Sequence, residues 1–187
     1  MAFVSSRAIM TSPDRRGEGF GVGEKVVIRP ARDDELNIIA SLTVDAYAEY
    51  AAAMSPDAWS VFAHDIANVR ARVGEGQLLV AERDGWLVGS VTLFRNWRGA
   101  QEDSAGVRLL AVPPEHRGSG IGRALMEHCI VIARGDGKRR VVLTVTQEME
   151  IARDLTERMG FVRTPDLDHE PAPGVRLQGY ALELSPS

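Results

Sequence analysis

Apolar residues recur along this chain with two periods, and the changes of period mark its elements. Lys25-Val26-Val27-Ile28-Arg29-Pro30 reads as a first strand, and Asp33-Asp34-Glu35 then places acidic residues where a helix N-terminus favours them. Leu36, Ile39, Ala40, Thr43, Ala46 and Tyr47 follow at helical spacing, which predicts an amphipathic helix. A second helix is expected from Ser55-Pro56-Asp57, with Pro56 at its first position and Trp59, Phe62, Ile66 and Val69 on one face. Gln77–Arg83 and Trp86–Phe94 are apolar runs separated by Asp84-Gly85, a dipeptide suited to a tight hairpin turn. After a polar loop from Arg95 to Asp103, Val107–Val112 forms a further strand. Pro113 and Pro114 stop it, because proline has no N–H to continue a ladder.

Three glycines, Gly118, Gly120 and Gly122, fall within the next eight residues and open a helix carrying Ile121, Ala124, Leu125, His128 and Ile132 at helical spacing. Gly135-Asp136-Gly137 ends that helix, and Arg140–Val145 is again a strand. Glu148 to Met159 predicts another helix, with Ile151, Ala152, Leu155 and Met159 on one face, Gly160 as its terminating residue and Phe161 folded back over the last turn. A short strand at Val162, a Pro- and Asp-rich loop from Thr164 to Gly174 and a strand through Tyr180–Leu184 close the chain. The order implies an α/β (α+β) domain with a mixed sheet over residues 25–187, preceded by a disordered leader at residues 1–24.

A glycine turn feeding a helix N-terminus is a place where backbone N–H groups converge on an anion, typically a phosphate. The dinucleotide fingerprint fails here because it needs glycine at Arg123, and no P-loop is present. Composition narrows the ligand further. A net charge of -4, from 26 acidic and 22 basic residues, creates no field for nucleic acid. No apolar run approaches the length of a membrane span, and the single Cys129 excludes an internal disulfide, so the expected location is cytoplasmic.

Arg117 to Gly122 reads R-x-x-G-x-G behind a strand ending Leu110-Ala111-Val112-Pro113, and Ala152-Arg153-Asp154-Leu155-Thr156-Glu157-Arg158-Met159-Gly160-Phe161 reads A-x-x-L-x-E-R-x-G-F. In this order and spacing the two resemble the signature of the GNAT superfamily of N-acetyltransferases, and the resemblance runs from Val26 to Leu184. It implies a GNAT-like sheet of about seven strands, splayed between the fourth and fifth, with helices on both faces and acetyl-coenzyme A as cosubstrate. It further implies that Leu110, Ala111 and Val112 hold the pantetheine arm by their backbone, with the Leu110 N–H as oxyanion donor. Arg117, Gly118, Ser119, Gly120, Ile121, Gly122 and Arg123 would hold the pyrophosphate.

The sequence departs from the family at its catalytic positions: Gly106 stands where a glutamate base is frequent, Thr156 where a tyrosine acid is, and Met149 where an asparagine is. Glu102, beside Asp103 ahead of the strand, is one candidate base, although two acids in a polar loop equally describe a solvated surface. Tyr180 and Thr156 are candidate acids, and Tyr180 reads equally as a packing residue. Cys129 is read as buried and structural rather than as a nucleophile. Asp166, Asp168, His169 and Glu170 lack a metal-ligand spacing, so no metal is expected.

For the acceptor, Tyr47 and Tyr50 are candidate wall residues, Tyr47 fitting the core equally well. By the resemblance, Asp168 and Glu170 would make the mouth acidic and attract a cationic acceptor. The expected activity is direct transfer of acetyl to a primary amine of a small molecule or peptide. A degenerate fold that only binds coenzyme A as a sensor or interaction module, and a transferase of other acyl groups, are the alternatives. A homodimer is left open; nucleic acid and membrane are not expected as partners.

Overall fold

A computed structural model describes residues 25–96, 103–172 and 175–184 of the chain. The leader at residues 1–24 and Glu102 lie outside them. Strand β1 (Val27–Pro30) leads through a 3-10 turn into helix α1 (Leu36–Tyr47). A second 3-10 turn over Ala48–Ala53 connects α1 to α2 (Pro56–Ala67), which is followed by the short α3 (Val69–Val73). Ser55 caps α2 by accepting the Ala58 N–H at 3.2 Å, with Pro56 at the first helical position as expected. The helix breaks at Asn68, so Val69 opens α3 instead of extending the α2 stripe.

Strands β2 (Gln77–Arg83) and β3 (Trp86–Phe94) form the predicted hairpin, and β4 (Ser104–Ala111) pairs antiparallel to β3. Helix α4 (Ile121–Gly135), β5 (Arg140–Val145), α5 (Glu150–Arg158), β6 (Val162–Arg163), β7 (His169–Ala172) and β8 (Val175–Glu183) complete the order. The sheet runs β1-β2-β3-β4-β5-β8-β6, with β7 pairing β8. The segment from Thr164 to Gly174, expected as a plain loop, thus contains a 3-10 turn and β7, and β8 starts five residues before Tyr180.

Alternation in the strands sorts the core onto two faces. Leu78 and Val80 of β2 pack with Leu36 and Ile39 of α1 and Val69 of α3. Leu79, Val91, Leu93 and Val107 point the other way, onto Ile121, Leu125, Met126 and Cys129 of α4. Burial pushes the Cys129 thiol up to about 12, which suits a packing residue and denies it a nucleophilic role at neutral pH. Among the described residues no helix is long and apolar enough to cross a membrane.

A half-buried charge cluster around Glu35 ties β1 to this core. Arg29 donates to Glu35 at 2.9 and 2.6 Å and also to Glu82, and the Arg32 N–H donates to Glu35 at 2.8 Å. The Arg29 hydrogen bond is the main cause holding the Glu35 carboxyl down from 4.5 to about 2, against its burial. Because the folded value lies below the unfolded one, the stabilisation is complete above pH 4.5 and is lost as pH falls towards 2. The urea midpoint should therefore drop over that window, and Glu35→Gln should start lower by about 2 kcal/mol and respond less to pH. An equally steep acid response in the variant would remove this cluster from the account.

Candidate active site

The site begins where the sheet opens. Parallel pairing of β4 with β5 runs from Ser104↔Arg140 to Val107↔Leu143 and ends there, although both strands continue. Beyond it, β4 bulges: Ser90 faces Ala111 and Thr92 faces Arg108, which leaves Leu109 and Leu110 opposite the single Val91. Leu109 takes up the extra residue with φ 53°, a left-handed value uncommon outside glycine. The bulge turns the Leu110 segment out of the regular ladder, beside the gap between β4 and β5.

From Val112 the chain passes through a 3-10 turn at Pro114–His116 to Gly118 (φ 75°) and Gly120 (φ 82°). Both glycines need their left-handed conformation, and a Cβ on either would meet nothing within 4 Å. Gly120 caps α4 with no side-chain hydrogen bond, so the first N–H groups of that helix are free of a capping partner. Open space in front of an uncapped helix N-terminus fits a pyrophosphate. Ile121 contributes only backbone, since its side chain is buried in the core. Gly122 sits in the first turn of α4, against Leu155 of α5.

Side chains around this cradle are disposed differently from the expectation. Arg117 does not extend towards the cradle: its Nε donates to the Val112 carbonyl at 3.0 Å, and its fork reaches the Ala46 carbonyl and Glu49, each at 2.9 Å. Glu49 is held below its usual range by that contact. Arg123 pairs with Glu127 one turn on, at 2.9 Å. A cation the sequence did not single out, Arg83 at the end of β2, donates to the Ser119 hydroxyl at 3.1 Å, and Ser119 in turn donates to the His116 carbonyl. Only its position at a hairpin end marked Arg83, and pairing with α4's loop is a tertiary fact.

Tyr47 does reach the bulge: its hydroxyl donates to the Leu110 carbonyl at 3.3 Å. Its ring also packs on the main core, as the helical stripe implied. Burial is the main cause raising its pKa, and Arg72, Arg108 and Arg117 oppose that rise, which puts three guanidiniums in its electrostatic neighbourhood. Tyr50, Phe62 and Trp59 continue the aromatic wall, with ring centroids 5.9 to 6.0 Å apart. Burial and then Glu49 push Tyr50 up to about 12.

The remaining candidates have partners of their own. The Thr156 hydroxyl is buried and donates to the Ala152 carbonyl at 2.7 Å, a bond within its own helix. Tyr180 is buried on β8 opposite Leu143, where the β4–β5 ladder ends, and its hydroxyl donates to Glu157 at 3.2 Å. Burial first, then that carboxylate, raises its pKa, so it is a neutral donor. Asp168 binds Arg163 and accepts the Gly179 N–H at 2.9 Å, which lowers its pKa and ties its exposed carboxylate to β6 and β8. Glu170 lies on β7, paired with β8. Both residues thus lie at the β8 end of the sheet, Asp168 paired with Arg163, while Arg72, Arg108 and Arg117 are the charges that act on Tyr47.

A sheet that splits beside a bulged fourth strand, with a glycine cradle at a helix N-terminus, defines an acetyltransferase-like α/β fold. A family model described as Acetyltransferase (GNAT) family matches residues 34–161, and the chain belongs to that family. The chain is 30% identical over 162 residues to a mycothiol acetyltransferase of Propionibacterium freudenreichii, covering 83% of this chain and 49% of that protein. It is 31% identical over 91 residues to the L-amino acid N-acyltransferase MnaT of Escherichia coli, covering 48% of this chain and 52% of that one. The chain thus spans about half the length of these curated relatives. Among solved structures, the PaiA N-acetyltransferase of Thermoplasma acidophilum in complex with coenzyme A matches with TM-score 0.71 and 15% identity, over 86% of this chain and 99% of that one.

Proposed function

We propose that the chain is an acetyl-coenzyme A-dependent N-acetyltransferase that moves acetyl directly to a primary amine of a small molecule or peptide. The observation that carries this reading is the uncapped α4 N-terminus behind Gly118 and Gly120, at the end of a strand that has just left its neighbour. When bound, the thioester supplies an activated acyl carbon with a thiolate leaving group. The Leu110 N–H, beside the bulge, is the donor assigned to the negative charge that develops on the carbonyl oxygen. Tyr47 holds the Leu110–Ala111 peptide through the Leu110 carbonyl and so steadies the residue that presents that N–H.

An ammonium of pKa about 10.4 must lose its proton before it attacks, whereas a thiol of about 8.5 leaves readily. The guanidiniums around Tyr47 supply a positive field that favours the neutral amine, and this supports turnover without a dedicated carboxylate base. A second reading, a coenzyme A-binding module without turnover, draws on the commitment of the Thr156 hydroxyl to Ala152. Thiol release from acetyl-coenzyme A, followed over a panel of amines and peptide N-termini, separates them. Transfer to at least one amine is expected, with no burst in its absence. Thr156→Ala should keep kcat within about tenfold, since only a bond worth on the order of 1 kcal/mol is lost. Tight coenzyme A binding with no acceptor turned over would leave the module reading standing.

A further inference from the structure

We propose that Arg72 and Arg108 form a carboxylate subsite beside the Leu110 bulge, so that the acceptor is a small amino-carboxylate whose amine and acid group lie a few bonds apart. This rests on the acetyltransferase reading and names the acceptor class it leaves open.

Arg72 lies at the end of α3 and is 8% exposed. Its Nη1 donates to the Ile66 carbonyl at 2.8 Å, while its Nε is buried with no partner among the described residues. Removing a guanidinium from water without a bonded counter-charge costs several kcal/mol, and such a group persists where something else compensates it. Burial chiefly lowers its pKa, Asp65 and Tyr47 act in its favour, and Arg108 acts against it as a like charge. Two cations in mutual repulsion over one wall are an arrangement that an anion relieves.

The same patch holds a second orphan. The Thr92 hydroxyl is buried and unpartnered among the described residues, and Thr92 stands directly opposite Arg108 across the β3–β4 ladder. Arg108 is exposed, with its guanidinium 5.7 Å from the Phe94 ring centroid. Gly76, four residues after Arg72, presses on this face: a Cβ there would come within 3.1 Å of Thr92 and 3.2 Å of Phe94. The end of α3 and the Thr92–Phe94–Arg108 patch are therefore one wall. Planar guanidiniums match a carboxylate in two-point hydrogen bonds.

Distance sets the size of the ligand. Arg108 and Leu110 are two residues apart with the left-handed Leu109 between them, so the backbone separates them by at most about 7 Å, and the aromatic rings of Tyr47 and Tyr50 lie beside Leu110. An amine presented to the Leu110 segment leaves room for one to a few carbons before the guanidiniums.

The test uses the full chain saturated with coenzyme A, titrated calorimetrically with L-amino acids and β-amino acids and with the primary amide of each, which keeps the amine and removes the charge. At least one acid should bind roughly 30-fold more tightly than its amide, the worth of a charge-assisted pair. Arg108→Gln should reduce that preference to about threefold or less with coenzyme A affinity unchanged. Because Arg72 is buried, Arg72→Lys is measured with it, and should weaken the acid and leave the amide unaffected. Amides that bind as well as the acids, acids that do not bind, or a preference that survives Arg108→Gln would overturn the subsite. Amides acetylated as fast as acids sink the subsite and leave the transferase reading intact. Selective acid binding with no thiol release from any amine does the reverse.

Discussion

Gly120→Glu is expected to weaken acetyl-coenzyme A binding by more than about 100-fold while leaving the protein folded. Gly120 holds φ 82° at the cap of α4, where a residue with a Cβ costs about 1–2 kcal/mol, yet the position opens onto space with nothing within 4 Å of a Cβ. Strain alone is therefore modest. The carboxylate would lie against the unpartnered N–H groups of the first turn, satisfy them as a capping side chain does, and repel a pyrophosphate from the same ground. Calorimetric titration with acetyl-coenzyme A, beside a thermal melt, reads both effects. A folded variant with wild-type affinity would move the phosphate site away from this turn.

The second large effect is on stability. In Gly179→Ala the new methyl would fall 2.3 Å from the Leu167 Cβ and 2.9 Å from the Thr164 carbonyl oxygen. Neither neighbour can rotate away, because both belong to the chain running from β6 to β7. That segment is pinned to Gly179 itself: Gly179 accepts the Thr164 N–H at 2.8 Å and donates to Asp168 at 2.9 Å. Relief requires displacing the 3-10 turn from β8, so a loss of about 3 kcal/mol or more is expected in urea denaturation. Gly74→Ala, where the nearest atom to a Cβ is 4.0 Å away, is the control and should change stability by less than about 1 kcal/mol. Similar midpoints for the two variants would contradict this account of the β6–β8 region.

What could be read from the sequence was local. Asp84-Gly85 fixes the hairpin, and Gly160 (φ 87°) ends α5 as expected with the Phe161 N–H returning to the Thr156 carbonyl. Of the α4 stripe Ile121 and Leu125 are buried, but the buried face continues through Met126, Cys129, Ile130 and Ala133, and Ala124, His128 and Ile132 are half-buried. The features missed are set by partners far along the chain. Ser104, Ala105 and Gly106 carry no pattern of their own and become strand because β5 pairs with them. β7 forms in a Pro-rich segment because β8 offers it an edge. In the site, the glycine cradle was legible because backbone conformation is written in residue type. The direction of Arg117, the contact of Arg83 with Ser119 and the burial of Arg72 were not, since an arginine's sequence says only that it must be charged. The partners of Asp168 were hidden for the same reason: its carboxylate is held by Arg163 and the Gly179 N–H, neither of which its acidic surroundings in sequence announce.

The contacts of Arg117 have a mechanical meaning. One guanidinium bolts the carbonyl of Val112, at the entrance to the glycine turn, to Ala46 and Glu49, at the corner that carries Tyr47 and Tyr50. The loop that would grip one substrate and the wall that would meet the other cannot shift independently, so adjustment of the first is transmitted to the second through a single side chain. Such a coupling is reciprocal: whatever shifts the glycine turn shifts the corner at Tyr47 and Tyr50, and the reverse holds equally.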